Sequence, residues 1–170
     1  TSIVIFEDTT PISLKIFPVG SNDITNDIAL GLKVPIEEAE KIKRGSMTSA
    51  TYSKKRLDEI IQNRLTTIFN LIDAHLKKIK RDGLLPAGII LTGGGSNTHG
   101  ITDVAKNVLS LPARTATLEM GKNTKVKDAT WAVAYGLCMW GASDAEDTST
   151  LGIVKQTKKS VFSWLNQFLP

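Results

Sequence analysis

Two stretches of the 170-residue chain carry residue types whose spacing could do chemistry. The first is Gly93-Gly94-Gly95-Ser96, which follows the apolar run Gly88-Ile89-Ile90-Leu91 and precedes an amphipathic segment. Consecutive glycines take positive φ at little cost and present no Cβ, so backbone N–H groups can approach a flat or anionic ligand at a helix start. A nucleotide suits such a turn. So does a plainer role, a tight strand-to-helix connection in which glycines only permit close packing. The second stretch is the C-terminal cluster Val161, Phe162, Trp164, Leu165, Phe168 and Leu169. Val161, Trp164, Leu165 and Phe168 share one helical face, with Phe162 and Leu169 at its margins and Ser160, Ser163, Asn166 and Gln167 opposite. Lys155, Lys158 and Lys159 precede it. This pattern predicts a helix that lies on an anionic membrane surface. Each large apolar side chain would add about 1.5–3 kcal/mol if fully buried, and each lysine about 1 kcal/mol. The alternative is a helix docked back onto the folded domain.

These groups need elements to position them. Residues 2–6 and 12–19 are β-rich runs joined by Glu7-Asp8-Thr9-Thr10 and read as a hairpin, with Ile12, Leu14 and Ile16 alternating with Ser13 and Lys15. Gly20-Ser21-Asn22-Asp23 offers a hinge and capping chemistry ahead of Ile24, Ile28, Ala29 and Leu32, which share a helical face. Pro35 suits the first position of a second short helix that ends near Gly45. In that helix Glu37, Glu38 and Glu40 precede Lys41, Lys43 and Arg44, as the helix dipole favours. Residues 46–53 read as a loop. Leu57, Ile60, Ile61, Leu65, Ile68, Ile72, Leu76 and Ile79 then keep helical spacing up to Asp82-Gly83 and predict the longest helix. A strand at 88–91, the glycine turn and a helix over Ile101–Leu109 follow. After them come a weak strand at 113–117, a polar loop at 119–127 and an alanine-rich helix from Ala129 to about Gly141.

Composition excludes several classes. With 41% apolar and 22% charged residues the chain can build one domain or two small subdomains sharing a core. Its net charge of +4 comes from interspersed charges of both signs. No basic stripe with interleaved aromatics marks a nucleic-acid binder. Cys138 is the single cysteine, so no internal disulfide forms; its apolar neighbours predict a buried small hydrophobe, and a cytosolic setting is expected. No apolar run of about 18 residues predicts a spanning helix. The chain begins at Thr1 and enters a strand-like run at once, so a fragment is expected.

Glu40 and Lys43 lie three apart on one helical face, where by themselves they read as a solvated pair. The segments Pro18-Val19-Gly20, Ile24-Thr25-Asn26-Asp27-Ile28-Ala29, Gly31-Leu32, Pro35-Ile36-Glu37-Glu38-Ala39-Glu40 and Ile42-Lys43 resemble the cell-division family FtsA. Gly88-Ile89-Ile90-Leu91-Thr92-Gly93-Gly94-Gly95 is similar to that family's second adenosine motif, and Ala132-Val133-Ala134-Tyr135-Gly136 belongs to the same pattern.

The resemblance covers roughly residues 1–141. It implies an α/β fold, the second lobe of an actin-like (ribonuclease H-like) protein, with the nucleotide held between two lobes. Residues 1–20 and 84–141 would form an inner subdomain, 21–83 an outer one, 142–156 a linker and 157–170 a membrane-binding amphipathic helix. Gly20 would mark the passage between subdomains. Glu40 and Lys43 would reach adenine and ribose, and Gly93, Gly94, Gly95 and Ser96 would line the other side of the adenosine. The implied cofactor is ATP with magnesium, and the implied partners are the tail peptide of FtsZ, membrane lipids and further copies of the protein in a protofilament. The implied location is the cytoplasmic face of the bacterial membrane at the division site.

The acidic, glycine-rich second phosphate loop of the family would end just before Thr1, so this chain alone is not expected to hydrolyse ATP. The resemblance also makes Arg64 the anchor for the FtsZ peptide, since a guanidinium holds a carboxylate bidentately. Asn63 replaces the usual proline there, and Thr67 stands where an acid is common. A solvent-facing arginine is the alternative. The 45–53 loop is shorter than the family's. A PilM-like pilus-assembly homologue is the second reading and would lack the amphipathic tail; an actin-fold kinase or chaperone ATPase is the third.

Overall fold

Local chemistry shapes each element before packing selects its partners. In the computed structural model, which describes residues 1–46, 52–120, 124–126 and 129–147, Asp8 and Thr9 turn the chain between strand β1 (Ser2–Glu7) and strand β2 (Thr10–Ile16). Asp8 takes φ 55°, a left-handed conformation that short polar residues tolerate. The strands pair antiparallel with Val4 opposite Leu14 and Ile5 opposite Ser13, and the register then slips so that Ile12 is the extra residue of a bulge. Alternation marks the strand but not its buried face. Ile5 and Phe17 are buried, whereas Val4, Phe6, Ile12, Leu14 and Ile16 are exposed. Ser13 shares a 2.9 Å hydrogen bond with His75 Nε2, and the His75 ring meets Phe17 edge-on.

Helix α1 (Ser21–Leu32) starts where Gly20 and Asp23 satisfy each other. The Gly20 N–H donates to the Asp23 carboxylate at 2.8 Å, and the Gly20 carbonyl accepts the Asp23 N–H at 3.1 Å. Helix α2 (Ile36–Lys43) begins one residue later than expected, because Pro35 keeps an extended ψ of 151° and caps the helix from outside. Helix α3 (Lys54–Lys78) is the longest element within residues Thr1–Thr130. Its buried stripe is Leu57, Ile60, Ile61, Leu65, Ile68, Phe69, Ile72 and Leu76. Ile24 and Ile28 of α1, Ala39 and Ile42 of α2, and the hairpin's Ile5 and Phe17 join the same apolar cluster. So do Ala105 and Leu109 from helix α4 (Ile101–Leu109). One core therefore runs through both expected subdomains.

Strand β3 (Ile89–Leu91) and strand β4 (Ala113–Thr115) pair in parallel, with α4 as the crossover between them. Gly88 makes that pairing possible: at φ +74° a Cβ would stand 2.1 Å from the Pro112 carbonyl oxygen, which accepts the Ile89 N–H. The expected polar loop at 119–127 is instead largely a second hairpin, strands β5 (Leu118–Met120) and β6 (Thr124–Val126) paired antiparallel. Runs this short have too few apolar positions to show a period, and backbone pairing alone makes them strands.

A 3-10 turn over Ala129–Trp131 leads into helix α5 (Ala132–Asp147), which continues past Gly141 into the expected linker. Ala142 and Ala145 are strong helix formers, which accounts for the extension. Residues Thr1–Thr130 form one compact unit, and Trp131 onward belongs to a second. Cys138 is exposed, contrary to the reading from its apolar neighbours. Val133, Leu137, Met139 and Trp140 on the same helix are exposed too, so an apolar run here does not mark a buried one. Among the described residues no helix is long and apolar enough to cross a membrane.

Candidate nucleotide site

The first turn of α1, the last turns of α2 and the glycine turn after β3 meet. Ser21 opens α1 and Thr25 lies one turn later on the same face; both turn toward α2. The Lys43 ammonium donates to Thr25 Oγ1 at 2.7 Å, to Ser21 Oγ at 2.9 Å and to the Ser21 carbonyl at 3.2 Å. It also pairs with Glu40 Oε2 at 2.7 Å. Thr25 Oγ1 donates to that same oxygen at 2.6 Å, and Arg44 Nε donates to Glu40 Oε1 at 2.7 Å. The Lys43 side chain is only 9% exposed, so this is no solvated surface pair.

Burial acts to raise the Glu40 pKa, but the hydrogen bonds from Lys43, Thr25 and Arg44 outweigh it and bring the carboxyl from 4.5 down to about 2. Glu40 is therefore a carboxylate at any physiological pH: it accepts hydrogen bonds and cannot donate them.

On the other side, Gly93 takes φ +85° and its N–H donates to the Ala129 carbonyl at 3.0 Å. Thr92 Oγ1 donates to the same carbonyl. The chain then enters a 3-10 turn, Gly94–Asn97, rather than a helix directly; α4 begins only after Gly100. Ser96 is buried and its hydroxyl donates to the Gly93 carbonyl at 2.7 Å, so it closes the turn. A Cβ at Gly93 or Gly94 would meet nothing within 4 Å, whereas at Gly95 it would lie 3.6 Å from Ser21 Cβ. The turn thus rests against the start of α1 through Gly95 and keeps Gly93 and Gly94 open. Gly20 is extended, and a Cβ there would meet only Thr1 atoms, at 3.9 Å.

Sequence reasoning named Glu40, Lys43, Gly93, Gly94, Gly95 and Ser96 as two separate sides, and Ser21 is the residue through which they meet. It did not single out Ser21, Thr25 or Arg44. The available signal was a pair of hydroxyl residues four apart on the first turns of a helix, next to a Glu-x-x-Lys helix. Arg64 lies elsewhere. Its Nε and Nη2 donate to the two oxygens of Asp27 at 2.6 and 2.7 Å, and those hydrogen bonds raise its pKa against the opposing effect of burial. Asp27 is about 200° around α1 from Thr25, so α1 serves α2 with one face and α3 with another. Ala132–Gly136 opens α5, in the second unit. Lys158, Lys159, Val161, Phe162, Trp164, Leu165, Phe168 and Leu169 lie outside the described residues.

A β-hairpin, a helical layer and a parallel βαβ unit whose glycine turn rests against a helix start are consistent with the actin-like α/β class. Among solved structures, the ethanolamine utilization protein EutJ from Carboxydothermus hydrogenoformans superposes with a TM-score of 0.57 at 16% identity, over 76% of this chain and 41% of that one. The sequence model of the family described as Cell division protein FtsA matches residues 1–136, and the chain belongs to that family. The Cell division protein FtsA of Pseudomonas aeruginosa is 26% identical over 90% of this chain and 42% of its own length. That of Neisseria meningitidis serogroup B is 32% identical, over 81% of this chain and 39% of its own length. The chain therefore spans about two fifths of the curated relatives it matches.

Proposed function

We propose that this chain is the second lobe of an FtsA-like cell-division protein that binds ATP with magnesium between two lobes, polymerises, and tethers FtsZ to the cytoplasmic membrane. The observation that carries the nucleotide part is the convergence of Glu40, Lys43, Ser21 and Gly95 in one place. These residues fit a nucleoside. Glu40 is ionised and accepts a ribose hydroxyl, Lys43 supplies a fixed cation, and Gly93 and Gly94 leave room for a flat base to lie close to the backbone. ATP would supply the phosphoryl group and bring its own magnesium. Among the described residues no group of three or more His, Cys, Asp or Glu side chains could hold a metal ion.

Residues 1–20 and 84–141 act in this reading as the inner subdomain and 21–83 as the outer one, with Gly20 between them. Arg64 receives a carboxylate of the FtsZ tail peptide, which must displace or share Asp27. Residues 157–170 form the membrane-surface helix. Titration of ATP into the 170-residue chain, and into a chain that also carries the upstream lobe its relatives possess, tests the two-lobe site. Micromolar binding is expected only of the longer protein; micromolar binding by the short chain overturns the shared site.

A further inference from the structure

The Glu40 carboxylate is held by three groups, and only one of them is an uncharged side chain buried in the fold. Thr25 is 5% exposed. Its hydroxyl donates to Glu40 Oε2 at 2.6 Å and accepts from the Lys43 ammonium at 2.7 Å. A hydroxyl has one proton and two lone pairs, so it can serve an acceptor and a donor at once. Neither a carboxylate nor an ammonium can replace it in that place. Lys43 also bonds Oε2 directly, so that oxygen is turned inward by two groups. Among the described residues Oε1 takes a bond from Arg44, whose side chain is 72% exposed. Each carboxylate oxygen accepts about two hydrogen bonds, which leaves Oε1, on a side chain one-third exposed, with capacity for a further donor.

We infer that Thr25 is a positioning residue of the nucleotide site, fixing the Glu40 carboxylate with Oε2 inward so that Oε1 faces a ribose hydroxyl of the bound nucleotide. This rests on the reading that Glu40 and Lys43 hold the ribose. Thr25 does not touch the ligand. Its effect is on discrimination between sugars: a deoxy analogue forfeits the hydrogen bond to a fixed acceptor, and a site built to bond a hydroxyl disfavours the analogue that lacks it. If the carboxylate is free to rotate, it can turn away from the missing group and the penalty falls.

The test uses the protein with its upstream lobe and three probes, ATP, 2′-deoxy-ATP and 3′-deoxy-ATP, with affinities measured by calorimetry. The wild type is expected to bind ATP about tenfold more tightly than at least one deoxy analogue, the worth of one hydrogen bond to a partly exposed carboxylate. Thr25→Val keeps the β-branched shape and removes the hydroxyl; its discrimination is expected to shrink to within about threefold. Thr25→Ser, which keeps the hydroxyl, is expected to retain the wild-type ratio. Thr25→Ala, which helix propensity favours, serves as a second hydroxyl-free variant should the valine fail to fold, and the same loss is expected. A folded valine or alanine variant that keeps the wild-type ratio overturns the inference while leaving the site intact. If Glu40→Gln and Lys43→Met leave ATP affinity and the ratio unchanged, the ribose reading itself fails and the role of Thr25 falls with it.

Discussion

Removal of Arg64 separates a structural role from a partner-binding one, because the structure already uses the Nε and Nη2 edge of its guanidinium. Two bonds of 2.6 and 2.7 Å join it to Asp27, between side chains 29% and 28% exposed. Exposed ion pairs are worth about 0.2–1 kcal/mol, and breaking a buried pair costs about 3–5 kcal/mol. A half-buried, bidentate pair falls between these limits. Arg64→Ala is therefore expected to cost about 2 kcal/mol of stability, and the coupling to Asp27 in a double-mutant cycle to be about 1 kcal/mol. At about 2–4 °C per kcal/mol for a chain of this size, the melting point should fall by about 4–8 °C. Asp27→Asn makes the functional case. It weakens the pair and frees the fork, so affinity for a carboxylate-bearing FtsZ tail peptide is expected to rise, whereas Arg64→Ala is expected to lower it more than tenfold. Thermal melts and fluorescence anisotropy read the two quantities separately. A coupling below about 0.3 kcal/mol would refute the assigned worth of the pair. Unchanged peptide affinity in both variants, with the fold intact, would place the peptide contact elsewhere.

Glu40 makes the lower end of the pH range informative: its folded pKa of about 2 lies below the ordinary 4.5, so its contribution is fully present above pH 4.5 and is lost as pH falls toward 2. The upper bound is about 3 kcal/mol, which its one-third exposure reduces to about 1–2 kcal/mol. Unfolding curves between pH 5.5 and 2.5 are expected to show the wild type losing that much more than Glu40→Gln, and parallel curves would contradict the network. For the tail, liposome flotation is expected to drop sharply when Trp164 and Phe168 are both replaced by charged residues or the chain ends at Gly152. Equal flotation of all three proteins would mean that the tail is not the anchor.

Much of the fold was legible in the sequence because it rests on local signals. The apolar spacing from Leu57 to Leu76 specifies a long helix whatever surrounds it, and Gly20 with Asp23 marks the start of α1. Gly88-Ile89-Ile90-Leu91 followed by glycines announces a strand and a turn. The β5–β6 hairpin was not legible, because three-residue strands carry no period. Nor was the exposure of Cys138, because an apolar run on a helix does not say which of its sides will find a partner.

The sequence by itself determined the chemistry on offer: a carboxylate and an ammonium three apart, a run of glycines after a strand, and an arginine on a long helix. Only the tertiary structure decided what each would face. It set Ser21 between Lys43 and Gly95, and Thr25 between Glu40 and Lys43. It also gave Nε and Nη2 of Arg64 to Asp27. The physical reason is that a helix periodicity specifies which residues share a face, whereas a buried ammonium, the bond of Thr25 to Glu40 or the bidentate pairing of Arg64 with Asp27 depends on distances of about 3 Å between elements far apart in the chain, and those distances exist only once the core has formed.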